Sequence, residues 1–355
     1  MSQAHSFTTN SIHAGEDETT SATPIYLGAT SSARYLRSGN PTLDAFEEKV
    51  RALEDGAMAI STACGMAAVS QTLLTLLKPG KRLLVHQTVY YWSTELVHTF
   101  LPSLGVIVDT VDMRDPGALA AALANKPDVV YFEPLSNPTC EVLDAAAIIK
   151  AAKAAGATVV LDNTFLSPAL FNPLPLGADV VLHSATKFLC GHGDALAGVV
   201  VTREKELGEA IHHTRSTLGG ILSPFNSYLL LRGIKTMSMR VDRHCHNAQR
   251  IAEFLADQPK IRSVQYPGLA DAQGHDVAKA AWRGFGGMIN FQFHEVAEMD
   301  RFIDKLEMIK PWVSLGDAAT LAIGGEHFGG PTHVRMAVGL EDIGDILTDL
   351  RQALV

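Results

Sequence analysis

Asp179-Val-Val-Leu-His-Ser-Ala-Thr-Lys-Phe-Leu-Cys-Gly-His-Gly-Asp194 decides the fold. Its first four residues are a short apolar run that reads as a buried strand. The strand then opens into Ser184, Thr186 and Lys187, followed by the small and polar residues 190–194. Lysine is normally a surface residue. Here Lys187 stands where a parallel strand would open into a crevice, which poses the question of what it does there.

Similar apolar runs precede this one, and helical stretches separate most of them. MAIST (58–62) precedes GMAAVSQTLLTLLKPG, and RLLVH (82–86) precedes a segment containing STELVHTFLPSLG. DVVYFE (128–133) precedes DAAAIIKAAKAAG, and TVVLD (158–162) leads to DVVLHS. Strands alternating with helices argue for a mostly parallel sheet with helices on both faces. Ahead of them, PTLDAFEEKVRALEDG reads as a helix. Pro41 suits its first turn, Leu43, Phe46, Val50 and Leu53 share one stripe, and Gly56 is placed to stop it. Residues 1–35 are polar and read as an extended N-terminal arm, and 36–222 as the large domain. From 223 to 355 the texture changes. One long helix or two are followed by SVQYPG, GGMINFQF and VRMAVGLED, which look like strands of a smaller mixed domain.

The 355 residues suit a large domain plus a smaller one. A net charge of −9 with no basic run argues against nucleic acid and anionic membrane as partners. No stretch approaches the roughly 18 apolar residues of a membrane helix. The N-terminus lacks the pattern of a signal peptide, so the cytoplasm is the expected location. Cys64, Cys140, Cys190 and Cys245 have no CxxC spacing, and the histidines lack helical ligand spacing, so no disulfide framework and no metal site are expected.

In open parallel sheets, ligands bind beyond the carboxyl ends of the strands. The runs deliver Asp162, Glu133 with Asn137 beyond it, Ser184, Thr186 and Lys187 to that edge. Gly65 and Met66 open a helix there. Backbone N–H groups at a helix start hold phosphate. A lysine of lowered pKa forms a Schiff base with an aldehyde. A buried carboxylate keeps a pyridine nitrogen protonated. Phosphate, aldehyde and pyridine together describe pyridoxal 5′-phosphate. Taken singly, each residue has a plainer reading: Asp162 as a helix cap, Lys187 as a surface lysine, Gly65 as a packing glycine. Their joint order along the chain raises the functional reading.

The chain also resembles the pyridoxal-phosphate trans-sulfuration enzymes of Cys/Met metabolism. The likeness runs through SIHAG, YLRSGNPT, ACGMAA, FEPLSNPT, VVLDNTF, HSATKFLCGHGD, LSPFNSYLLLRGIKT, GFGGM, VSLGD and VRMAVGLED. It implies a fold-type I enzyme, whose large domain has a mostly parallel seven-stranded sheet beside a smaller C-terminal α/β domain. By the resemblance, Lys187 is the Schiff-base lysine and moves protons on the substrate. Asp162 binds the ring nitrogen. Tyr90 stacks on the ring and assists catalysis. Gly65, Met66, Ser184 and Thr186 hold the phosphate. Asn137 approaches the ring oxygen, Arg335 clamps the substrate carboxylate, and Ser314 lies near Lys187. Tyr35 and Arg37 reach the cofactor of a neighbouring subunit, which implies at least a homodimer and usually a homotetramer.

The same resemblance directs the choice of reaction. Val313 stands where members that handle cystathionine tend to carry glutamate, as in methionine γ-lyases. Arg34 replaces a glutamate of cystathionine γ-lyases; otherwise it faces solvent or pairs with a carboxylate. Trp92 stands where methionine γ-lyases place a cysteine, and residues 322–334 are shorter than usual. The expectation is γ-elimination from a sulfur- or oxygen-substituted amino acid with an apolar or anionic tail. The alternatives are a γ-replacement transferase and an inactive cofactor-binding relic.

Overall fold

The computed structural model describes residues 5–16, 19–32 and 34–355. Residues 1–4, 17–18 and 33 of the N-terminal arm lie outside the described residues. The arm is not wholly extended. Phe7–His13 form a helix capped by Ser6, which accepts from the Thr9 N–H. This helix packs on the next one, Pro41–Glu54, where Lys49 donates to the carbonyls of Ser11 and Ile12 at 3.1 and 2.8 Å.

Helix Pro41–Glu54 begins where Asn40 caps the Thr42 N–H and buries Leu43, Phe46, Val50 and Leu53. Asp55, not Gly56, ends it: Asp55 takes the left-handed conformation at φ 55°. Gly56 serves a close approach instead, since a methyl group there would sit 2.3 Å from Val201.

The first sheet has seven strands: β1 Met58–Thr62, β2 Arg82–His86, β3 Ile107–Val111, β4 Val129–Phe132, β5 Thr158–Asp162, β6 Val180–His183 and β7 Gly198–Thr202. Their order is β1-β7-β6-β5-β4-β2-β3. Strand β7 runs antiparallel to both neighbours, β1 and β6. The pairs from β6 out to β3 are parallel. Alternate residues feed opposite cores. Val159, Leu161 and Val181 pack with helices Pro41–Glu54 and Ala145–Ala154. Val160, Val180 and Leu182 pack with helix Gly65–Leu76. Two-sided burial explains why these strands read as unbroken apolar runs.

Helices Pro224–Ile234 and Met237–Ala256 follow as two elements, separated by Lys235 and Thr236. Beyond them lie β8 Ile261–Gln265, β9 Met288–Phe293, β10 Leu321–Gly324 and β11 His333–Ala337, in the order β10-β11-β9-β8. This sheet is antiparallel throughout. Residues 322–334, expected only to be shorter than usual, form most of a hairpin. β10 and β11 are joined through a 3-10 turn at Glu326–Phe328.

Candidate active site

The carboxyl ends of the parallel strands and the β10–β11 turn enclose a cavity of about 620 Å³. It is lined by Gly65, Met66, Tyr90, Asn137, Asp162, Ser184, Thr186, Lys187, Ser314 and Arg335. Trp92 and Val313 line it as well.

At its floor, β5 ends in Asp162. The Thr164 N–H donates to Asp162 Oδ1 at 3.0 Å, and the Thr164 hydroxyl donates to the same oxygen. Oδ2 is left for a ligand. Burial raises the Asp162 carboxyl above its usual range, and the Thr164 bonds pull it back in part. Glu133, just past β4, is a buried carboxylate. Its oxygens accept from the backbone N–H groups of Tyr90 at 2.7 Å and Asn137 at 2.8 Å. Burial and the neighbouring Asp162 charge push Glu133 well up. One side chain thus sets the backbone under two pocket residues, a role its position in the sequence does not disclose.

Helix Gly65–Leu76 points its N-terminus into the cavity. Cys64 gives it no side-chain cap, and the Ala67 and Ala68 N–H groups are satisfied by the Cys64 carbonyl. The N–H groups of Gly65 and Met66 therefore remain available. A methyl group on Gly65 would lie 2.7 Å from Ser184 Cβ and 2.9 Å from its hydroxyl. Glycine lets the helix start and the strand end share one small space. Thr186 lines the same space, but its hydroxyl is spent on Ala197. It donates to the Ala197 carbonyl at 3.1 Å and accepts from its N–H at 2.9 Å.

Lys187 follows at the next residue. Its Nζ donates to Ser314 Oγ at 3.1 Å. Burial lowers the ammonium pKa, Asp317 raises it and Arg335 lowers it further. The turn carrying Lys187 is braced from helix Met237–Ala256. Arg240 donates to the Phe188 carbonyl at 3.0 Å, and the His244 ring meets the Phe188 ring edge-on at 5.3 Å. Neither brace was expected from the sequence. Arg240 and His244 fall on one helical face at i, i+4, which is the only signal there.

Arg335 projects from β11. Nη1 donates to Asn137 Oδ1 at 3.0 Å and Nη2 to the Ser314 carbonyl at 3.3 Å. Its guanidinium also lies over the Phe328 ring at 5.1 Å. Nε is buried without a partner among the described residues. The fork is thus held in orientation with donor capacity to spare for a carboxylate. Burial raises the Tyr90 phenol, and Arg335 draws it part of the way back.

The mouth differs. Tyr91 meets Trp92 at 5.1 Å and His327 at 5.7 Å, both edge-on. Val313 completes an uncharged wall with Leu196. His327 and Phe328 were absent from the sequence expectations, because only the hairpin brings them over the cavity.

Three expected residues stay outside the cavity of their own chain. Arg34 forms an ion pair with Asp44 and does not line the pocket. Tyr35 is exposed with Arg37 stacked over its ring at 5.2 Å. Arg37 lines a separate polar hollow with His213, Ser216 and Thr217.

The donor set fits pyridoxal 5′-phosphate. A half-bonded, half-buried carboxylate, an amine of lowered basicity and a helix start beside a free hydroxyl match its ring nitrogen, aldehyde and phosphate respectively.

Residues 6–355 match the family described as Cys/Met metabolism PLP-dependent enzyme. The chain is 41% identical over 348 residues to the L-methionine gamma-lyase of Pseudomonas putida, covering 93% of this chain and 87% of the relative. It is 38% identical over 379 residues to the cystathionine beta-lyase of Lactococcus lactis, covering 98% and 99%. Among solved structures, cystathionine gamma synthase from Xanthomonas oryzae pv. oryzae in complex with aminoacrylate and cysteine superposes with a TM-score of 0.95 at 36% identity. That superposition covers 99% of this chain and 98% of the other.

Proposed function

The chain belongs to the Cys/Met metabolism PLP-dependent enzymes, and from that premise we propose that it performs γ-elimination on an amino acid carrying an uncharged γ-substituent, a thioether above all. Its cofactor is pyridoxal 5′-phosphate, which when bound supplies an electron sink for the substrate α-carbon. The residues around that group do the rest. Gly65, Met66 and Ser184 would hold the phosphate, with Thr186 supporting the adjoining backbone through Ala197. Asp162 would take the ring nitrogen, and Asn137 would lie beside the ring. Arg335 takes the α-carboxylate. Lys187 Nζ, once free, accepts the α-proton and carries protons along the substrate. Tyr90 would face the ring and would give or take a proton at the amine or the leaving group.

The uncharged mouth carries the choice of substrate. Val313, Trp92 and Leu196 offer no partner for a distal ammonium, whereas the opposite end offers Arg335. The 41% identity to an L-methionine gamma-lyase supports the same reading. The test is product analysis with methionine and no added thiol. Release of 2-oxobutanoate, ammonia and a thiol is expected. Turnover only of homoserine esters, and only with an added nucleophile, contradicts it and identifies a replacement enzyme.

The assembly we propose is a homodimer at minimum, paired into a homotetramer, in the cytoplasm. Tyr35 and Arg37 are turned away from their own cavity, which suits a reach into a neighbour's. The four cysteines are free, which suits a reducing compartment. Among the described residues no helix is long and apolar enough to cross a membrane. Light scattering tests the assembly: a fully active monomer would exclude it.

A further inference from the structure

We propose that Asp317 is a positioning residue for Lys187, its carboxylate acting beside the Ser314 hydroxyl to fix the amine and to favour its ammonium form. The inference deepens the reading above and rests on Lys187 as proton carrier.

Three features place Asp317 in this role. First, the segment it belongs to is pressed against the lysine turn. A methyl group on Gly316 would lie 2.6 Å from the Phe188 nitrogen and 2.9 Å from the Lys187 carbonyl carbon. Ser314, which receives the Lys187 Nζ bond, sits at φ 117°. A non-glycine residue is strained there, so the surrounding structure imposes that conformation. Second, Asp317 is wedged between this turn and the 191–194 loop. A methyl group on Gly193 would be 3.2 Å from both of its carboxylate oxygens. Third, its carboxylate is not used as a structural one is. Asp349 accepts from three backbone N–H groups, those of Glu307, Met308 and Ile309. Asp317 Oδ1 is buried and accepts from no described residue.

The surrounding charges leave Lys187 as its main counter-ion. The charges of Lys187, Asp194 and His192 act on the Asp317 carboxyl. His192 Nδ1 lies 2.7 Å from the Cys190 carbonyl, and Asp194 accepts from the Cys190 thiol at 3.1 Å. Burial raises the Asp317 carboxyl, while Lys187 and Ser314 lower it. Lys187 in turn faces Arg335, which disfavours its ammonium, and Asp317, which favours it. The Asp317 charge therefore favours a proton taken up at Nζ.

The test uses the cofactor-free protein, so it is independent of whether the reaction is elimination or replacement. Acetylation of Lys187 by acetic anhydride is followed by mass spectrometry across pH. In Asp317→Asn the midpoint is expected to fall by about one pH unit. Asp317→Glu should return it most of the way, and Asp194→Asn should leave it near the wild-type value. Asp317→Ser carries the same expectation as Asp317→Asn if the latter does not fold. An unshifted midpoint in either folded variant overturns the proposal, as does an equal fall in Asp194→Asn. A changed reaction type with the midpoint shift intact overturns only the reading of function.

Discussion

The two ends of the cavity are built in different ways. At the floor, Asp162, Ser184 and Lys187 come directly off adjacent strands β5 and β6, and their neighbours fix them through bonds of 2.8–3.1 Å. At the mouth, Tyr91 and Trp92 are 54% exposed and Val313 is 66% exposed, held by ring contacts and a hairpin turn. A parallel sheet places chemistry at its strand ends almost regardless of what surrounds it. Substrate choice is left to loops that can vary without disturbing that chemistry.

The comparison can be broken most forcefully at the floor. Lys187→Ala removes the amine proposed to move protons, and a loss of roughly 10³-fold or more in kcat is expected. Steady-state kinetics on the cofactor-saturated variant check this. Arg335→Ala comes next. Losing charge-assisted bonds to the carboxylate is expected to lower kcat/KM by roughly 10²-fold, carried largely by KM. A rise in KM for every substrate alike is the sign of a carboxylate clamp; a loss confined to one tail places Arg335 at the mouth.

The rigidity of the floor has a pH signature. His244, which braces Phe188, and His86 are buried, and burial lowers both to about 4 from an ordinary 6.5. A depressed folded-state pKa means that their contribution is complete above about 6.5 and is lost as pH falls through about 4. Each accounts for roughly 3 kcal/mol when that loss is complete. Urea midpoints should therefore decline from pH 6.5 to 4, and less steeply in His244→Gln. A flat profile contradicts neutral burial.

The smallest effect is expected at the mouth. Trp92→Ala should lower kcat/KM for methionine by about tenfold or less, while changing the ranking of thioether tails. Competition between methionine and cystathionine reads this. An equal loss for both would make Trp92 a structural residue only.

The same contrast governs what could be read from the sequence. Strands buried on both faces announce themselves as apolar runs, and so the residues at their ends were identifiable. Edge strand β3 carries Asp109 and Thr110 and is partly exposed, which removes that signal. β7 is fully buried, but it returns antiparallel without an intervening helix, outside the alternating pattern. Asp55 rather than Gly56 ends the helix because Gly56 is needed against Val201. Asp317, His327 and Phe328 acquire meaning only through contacts between distant segments, which no local pattern reports; Glu133 sits at a strand end as the pattern places it, but its backbone-setting role does not follow from that. Arg34 had two open readings, and its pairing with Asp44 selects one of them in the single chain.

The most direct test of the central claim is to reduce the purified protein with borohydride and map the cofactor mass by peptide sequencing. The account predicts a single modified site, Lys187. No adduct after addition of pyridoxal 5′-phosphate, or an adduct on another residue such as Lys49, would contradict it.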